Sequence, residues 1–326
     1  MTPLFDTPLF DTPLFDKPES LPVKDLLTER LHRLAEKHIR IGGSSWKYEG
    51  WLDQIYQRER YLTRNKFSKK RFEETCLREY AEVFPTVCGD FAFYQFPTMA
   101  FWSKLFAQVP PGFQFGFKVP EQITVPEWPS HARYGAVAGK ENHTFLDARL
   151  FEDAFLRAIE PNKKQVGPLI FEFGGFKKSC FPTVLDFVRK LDPFLAQLPT
   201  GWRYAIEIRN HDFLHPEYFH CLRAHNVAHV YSAWTRMPEL GDQLKIPGTR
   251  TADFLVSRAL LRKGRNYEQA VQSFQPYTRI QDVNEPARKA LRELVDIAIV
   301  DGVPAFLFVN NRLEGNSPGT IVAITS

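Results

Sequence analysis

The chain has 326 residues, 44% of them hydrophobic, which is enough for a sizeable core. Lys and Arg total 42 against 38 Asp and Glu, and the formal charge of +4 is too modest to make nucleic acid or an anionic membrane the default partner. No run of about 18 apolar residues is present, so no membrane span is expected.

Residues 2–16 are three copies of Thr-Pro-Leu-Phe-Asp. A period of five suits neither helix nor strand, and each copy carries a proline. Residues 1–22 therefore read as a disordered tail ahead of a domain spanning 23–326. The Leu-Phe pair of each copy is an apolar anchor that could dock a protein partner, although a repeat without a role is the simpler reading. The N-terminus lacks a basic region followed by an apolar core, so a secretory signal is not expected. The four cysteines, Cys76, Cys88, Cys180 and Cys221, form no C-x-x-C pair and suit a reducing, cytoplasmic setting.

Residues 23–37 read as a helix leading into the first of eight apolar runs that each end abruptly in polar residues. These runs, expected as strands, cover 39–44, 86–93, 113–119, 169–173, 203–208, 228–231, 254–257 and 304–309. Between them lie helical patterns at 69–84, 98–108, 146–159, 183–198 (interrupted near Pro193), 216–225 and 284–300, with a last helix starting at Ser317-Pro318. In the first of these, Phe72, Cys76, Leu77, Tyr80, Ala81 and Phe84 share one face. No helix is legible after the sixth run, a long loop covers 121–142, and a basic, aromatic connection covers 261–281. Continuous apolar strands alternating with helices predict buried parallel strands and βαβ units. Eight units predict an α/β fold, a (β/α)₈ TIM-type barrel whose chemistry sits at the strands' carboxyl ends.

Several motifs, in order, resemble one family. They are Gly43-Ser44-Ser45-Trp46-Lys47-Tyr48 with Trp51, Phe93-Tyr94-Gln95-Phe96-Pro97, Phe113-Gln114-Phe115 with Lys118-Val119-Pro120, Gly167-Pro168-Leu169, Glu207-Ile208-Arg209, and Asn310-Asn311 with Glu314-Gly315. Together they resemble the YecE-like proteins, domain of unknown function family 72. The resemblance implies a TIM-type barrel and supplies no agreed activity. This chain departs from the family pattern at Cys88-Gly89-Asp90, where a Val-Glu-x-Asn strand is usual. It departs again at Glu172-Phe173-Gly174, where Gln-x-Pro is usual, and at Asn210-His211, where His-Pro often follows Glu-x-Arg.

Chemistry at the strand ends would rest on Asp90, Glu207 and Lys118 as catalytic candidates. Trp46, Tyr48, Tyr94, Glu172, Arg209, Arg258, Asn310, Asn311 and Ser317 are the ligand-binding candidates. Glu207 and Arg209 share strand parity and should face the same way. An anion pocket is expected between Arg258, Asn310 or Asn311, and the free N–H groups opening the last helix near Ser317. Lys118 could form a Schiff base, though a charged ligand contact is the simpler role. No cofactor is evident. Asp90, Glu172, Glu207 and His211 could make an oxygen-rich set for Mg²⁺ or Mn²⁺, a weaker reading because no H-x-H or H-E-x-x-H spacing exists. Trp51, Trp128 and Trp234 are further aromatics expected at the mouth.

The leading functional reading is an enzyme (a hydrolase, lyase or isomerase) acting on a small anionic or phosphorylated polar metabolite at the barrel mouth. The alternatives are a nucleic-acid-binding or -processing barrel and a non-catalytic binding scaffold. Nucleic acid would use Arg262, Lys263, Arg265 and Arg279 with Tyr267, Phe274 and Tyr277.

Overall fold

The structure is a computed structural model that describes residues 22–326. The repeat-bearing tail, apart from residue 22, lies outside the described residues. Eight parallel strands close into a barrel in sequential order: Ile39–Gly43, Thr86–Gly89, Gln114–Lys118, Val166–Phe173, Arg203–Ile208, Ala228–Ala233, Leu255–Ala259 and Ala305–Val309, which pairs back on the first. They are numbered one to eight below.

Side-chain alternation divides the core in two. Inward residues such as Ile170, Ala205, Val230, Val256, Phe306 and Phe308 fill the barrel. Outward residues such as Ile41, Phe171, Ile206 and Leu307 pack against the helices. At the amino end, the guanidinium groups of Arg40 and Arg203 both approach the Phe306 ring, at 5.9 and 5.8 Å from its centroid.

The outer layer contains the helices Lys69–Val83, Met99–Phe106, Val184–Gln197, Pro216–Ala224 and Glu285–Asp301. The expected face of the first of these is buried, from Phe72 to Tyr80 and Ala81. The stretch from Ala148 to Ile159 is helical throughout, with a π-helical turn at Glu152–Leu156. Glu285–Asp301 ends on Gly302 at φ 65°, the left-handed cap that glycine adopts without strain.

Several boundaries differ from the sequence reading. Strand two stops at Gly89, because the chain turns there: Phe93 N–H donates to the Asp90 carbonyl at 3.0 Å. The aromatic Phe91 ring folds back over Gly89, where a Cβ would lie 2.1 Å from it. Strand four starts earlier, at Val166, and runs through Pro168. The register advances by two residues on strand three while it advances by three on strand four, from Phe115↔Val166 to Phe117↔Leu169. That bulge accommodates a proline without an N–H.

The helix Val184–Gln197 is continuous through Pro193, since Phe187, Leu191, Phe194 and Leu195 anchor it on both sides. The connection after strand six does contain a helix, Leu240–Lys245, too short to show a period. Within 121–142 the chain forms a short helix, Glu121–Thr124, and the turns of Ala132–Val137. The basic, aromatic connection holds the helix Tyr267–Phe274. The last helix, Ser317–Ile324, is capped by Asn316. Among the described residues no helix is long and apolar enough to cross a membrane.

Candidate functional site

Strand register assembles an ionic cluster at the carboxyl end of the barrel. Glu172 stands opposite Glu207 across strands four and five, and Ser232 opposite Arg258 across strands six and seven. Arg258 is 2% exposed and donates to the carboxylates of both Glu172 and Glu207. Ser232 Oγ donates to Glu207 Oε1 at 2.9 Å. Arg209, just past strand five, donates through Nε to Glu207 Oε1 at 3.2 Å and lies 2.9 Å from Glu172 Oε2. Glu207 and Arg209 thus face the same way, into the barrel. From strand three, Lys118 Nζ reaches Glu172 at 3.1 Å and Asp90 at 3.7 Å.

Aromatic faces complete the hold on these cations. The Lys118 ammonium lies 3.7 Å from the centroid of Phe93, and the Arg209 guanidinium 3.9 Å from that of Trp234. Three cations, Lys118 and Arg258 buried and Arg209 partly buried, therefore meet two buried carboxylates, and the positive charge left over is balanced only at the exposed rim. The remaining carboxylate, Asp90, has a 53% exposed side chain and lies 3.6 Å from Arg258 Nη2. Burial by itself would raise the Glu172 carboxyl, but Arg209, then Lys118 and Arg258, hold it far below the usual carboxylate range. Burial opposes the charge on Arg258, yet Glu207 and Glu172 keep its guanidinium well above its ordinary value.

Above the cluster opens a cavity of about 700 Å³. It brings together Trp46, Tyr48, Asp90, Tyr94, Lys118, Glu172, Arg209, Arg258 and Asn310 from the sequence-predicted set. Trp234 joins them in the wall. Glu207 lies beneath, at 0% exposure. Trp51 is core, stacked near Tyr56 and Tyr80, and Trp128 packs on Tyr134.

Asn311 and Ser317 are buried outside the cavity wall. The expected anion pocket at the last helix is not formed, because its opening N–H groups are already occupied. Ser317 N–H donates to Asn311 Oδ1 at 2.8 Å, and Gly319 N–H to Asn316 Oδ1 at 2.8 Å. The guanidinium of Arg258, the other half of that pocket, is engaged by Glu172 and Glu207.

The oxygen-rich metal set is not assembled either. Lys118, Arg209 and Arg258 fill the space between Glu172 and Glu207, and His211 is exposed. Burial pushes the Cys88 thiol up to about 12, which fits a core residue rather than a nucleophile. In the basic, aromatic connection, Arg262 and Arg265 both pair with Asp282, and Arg265 also covers Phe274. The charges of these two are therefore paired, while Lys263 and Arg279 of the same connection are exposed.

The sequence reading missed Arg312. It lines the cavity, its guanidinium lies 4.5 Å from the centroid of Tyr267, and it has no carboxylate partner among the described residues. The rule that marked Asn310, a polar side chain just beyond a strand end, covers it too. Lys47 also lines the cavity, beside the Trp46 ring at 5.8 Å. The Phe93 ring beneath Lys118 opens the Phe93-Tyr94-Gln95-Phe96-Pro97 motif, but nothing in the sequence tied it to Lys118.

The model of a family described as protein of unknown function DUF72 matches residues 40–326. The chain belongs to the DUF72 family. A DUF72 family protein from Thermotoga maritima MSB8 has a similar solved structure, with a TM-score of 0.55 and 19% identity over 88% of this chain and 96% of that one. A DUF72 family protein from Enterococcus faecalis V583 aligns with a TM-score of 0.54 and 18% identity, over 88% of this chain and 93% of that one. At such identities these DUF72 structures support the barrel fold and carry no reaction with them. No curated protein matches the chain.

Proposed function

We propose that this DUF72 barrel is an enzyme whose mouth binds a small polar metabolite through an anionic or phosphoryl group, with Asp90 exchanging a proton with it. The observation that supports this reading is the charge balance of the site. Lys118, Arg209 and Arg258 outnumber the buried carboxylates Glu172 and Glu207, the third carboxylate, Asp90, is exposed at the rim, and Arg312 adds to the cavity wall a guanidinium with no carboxylate partner among the described residues. An anionic ligand group completes that balance, and Arg312 suits it because guanidinium binds carboxylate or phosphate with paired N–H groups. Tyr48, Trp234 and Tyr267 offer flat apolar faces to the rest of the ligand. Glu172 is kept ionised by its neighbours and has no proton to give at neutral pH. Asp90 is the solvent-accessible carboxylate of the cluster, so it is the one placed to move a proton. Isomerase, lyase or hydrolase chemistry would fit these parts, and the free cysteines suit a reducing, cytoplasmic setting.

Calorimetric titration at low salt with inorganic phosphate and a panel of phosphorylated sugars tests the reading. Saturable binding is expected, weakened severalfold or more in Arg312→Ala. Conversion of a bound panel member, followed by NMR, should disappear in Asp90→Asn while binding persists. No affinity for any of these anions, or steeply salt-dependent binding of a single-stranded oligonucleotide in their place, would overturn it.

A further inference from the structure

The helices Val184–Gln197 and Pro216–Ala224 pack side by side outside the barrel. Each follows a barrel strand and runs back toward the strands' amino ends, so their later turns lie at the end opposite the mouth. There Asp192 from the first helix meets Cys221 of the second and His225, the residue capping it. We propose that Asp192, Cys221 and His225 form a binding site for a divalent transition-metal ion of the zinc class, independent of the barrel mouth.

Three observations carry this. Cys221 and His225 are four residues apart, the spacing that stacks two side chains on one helix face. Asp192 supplies the third donor from the neighbouring helix: its Oδ1 lies 2.8 Å from His225 Nε2 and 3.9 Å from Cys221 Sγ. All three donor atoms fall within 4.8 Å of one another. Ligands about 2.0–2.3 Å from a tetrahedral ion sit roughly 3–4 Å apart, so an ion between these atoms requires side-chain adjustment alone. The donor set is thiolate, imidazole and carboxylate, which favours zinc-like ions over Mg²⁺ or Ca²⁺. Asp192 is exposed and, with Cys221, lines an open groove between the helices, which gives an ion a way in and leaves its fourth position to water.

The proton balance is simple. In the free protein, burial first and Asp192 second push the Cys221 thiol up to about 12. A bound cation reverses that preference: the S–H proton leaves to solvent as the sulfur–metal bond forms, and the proton between His225 Nε2 and Asp192 leaves or moves to Nδ1. The ion would then clip the two helices together at the end of the barrel associated with stability.

The test uses the full chain and Co²⁺ as a probe. Titration should give one ion per chain with a sulfur-to-cobalt charge-transfer band, displaced by Zn²⁺. Cys221→Ser should abolish the band, and Asp192→Asn or His225→Ala should weaken binding by about tenfold or more. Zn²⁺ should raise Tm in the wild type but not in Cys221→Ser. No charge-transfer band, or a band that survives Cys221→Ser, overturns the proposal. If Cys221→Ser does not fold, as judged by circular dichroism, the exposed Asp192→Asn decides: unchanged affinity there is equally fatal.

Discussion

Replacing Arg258 by methionine keeps most of the side chain's volume and removes the charge that Glu172 and Glu207 share. Both carboxylates are buried, Glu207 at 0% exposure. Removing one partner of a buried ion pair costs about 3–5 kcal/mol, because the other charge is left uncompensated. Here the lower end applies. Glu172 keeps Arg209 and Lys118, and Glu207 keeps Arg209 and the Ser232 hydroxyl. Urea denaturation at pH 7 should therefore show Arg258→Met destabilised by about 3 kcal/mol. The double variant Arg258→Met/Glu207→Gln should recover about 1 kcal/mol or more of that, since the stranded charge is gone. The pH dependence has a definite sign. The folded-state Glu172 carboxyl lies below its unfolded value, so its contribution is present in full above the ordinary carboxylate range and is lost as pH falls toward the depressed folded value. Arg258→Met removes part of that depression, so the gap between wild type and variant should narrow in acid. A loss under about 1 kcal/mol, as for a solvent-screened pair, would refute the account of a buried cluster whose charges depend on one another.

Three further outcomes can be checked by the same denaturation assay. His229 is buried among Tyr218, Phe219 and Tyr231, and burial pushes its imidazole down to about 3. The unfolded chain takes up this proton as pH falls through about 6.5 and the folded one does not, so between pH 7 and 5 the wild type should lose about 2 kcal/mol more than His229→Phe; equal losses would show that His229 is not buried neutral. Gly42→Ala should cost at least about 3 kcal/mol or prevent folding, because its Cβ would lie 1.9 Å from the Thr86 carbonyl oxygen; a loss under about 1 kcal/mol would contradict that close approach of strands one and two. Asn316→Ala should cost about 2–3 kcal/mol, since it removes the cap on Gly319 N–H and strips the Tyr277 carbonyl of its donor at 2.8 Å; a neutral result would mean that the last helix is held without it.

The barrel was legible because its strands are nearly pure apolar runs with polar ends, as in Ala305–Val309 followed by Asn310. The place of the candidate site followed from that, and strand parity was enough to pair Glu207 with Arg209. What one sequence does not carry is register between distant strands. Nothing local links Glu172 to Arg258, 86 residues away, so Arg258 read as a ligand contact when it is the counter-charge of two carboxylates. The same limit misled the reading of the last helix: Ser317-Pro318 is a sound local start signal, but the side chain that occupies the Ser317 N–H is Asn311, in the preceding loop. The run Phe91-Ala92-Phe93 extends strand two by composition alone, while the turn at Asp90 removes those residues from the sheet. A helix as short as Leu240–Lys245 has too few residues for periodicity to register.

Asp90 gives the barrel mouth a tethered rival for its own ligand. Its carboxylate lies 3.7 Å from Lys118 and 3.6 Å from Arg258, the charges that would attract an incoming anion, and the chain tethers it beside them. An intramolecular competitor acts at an effective concentration set by its tether, on the order of millimolar for a short flexible one. Under the proposed function, each binding event must then displace Asp90, and the displaced carboxylate is left beside the newcomer, where a proton can pass between them. Affinity and turnover would pull in opposite directions on this one residue: Asp90→Asn should hold phosphate more tightly than the wild type while converting nothing, and weaker phosphate binding in that variant would show that Asp90 is no rival at all.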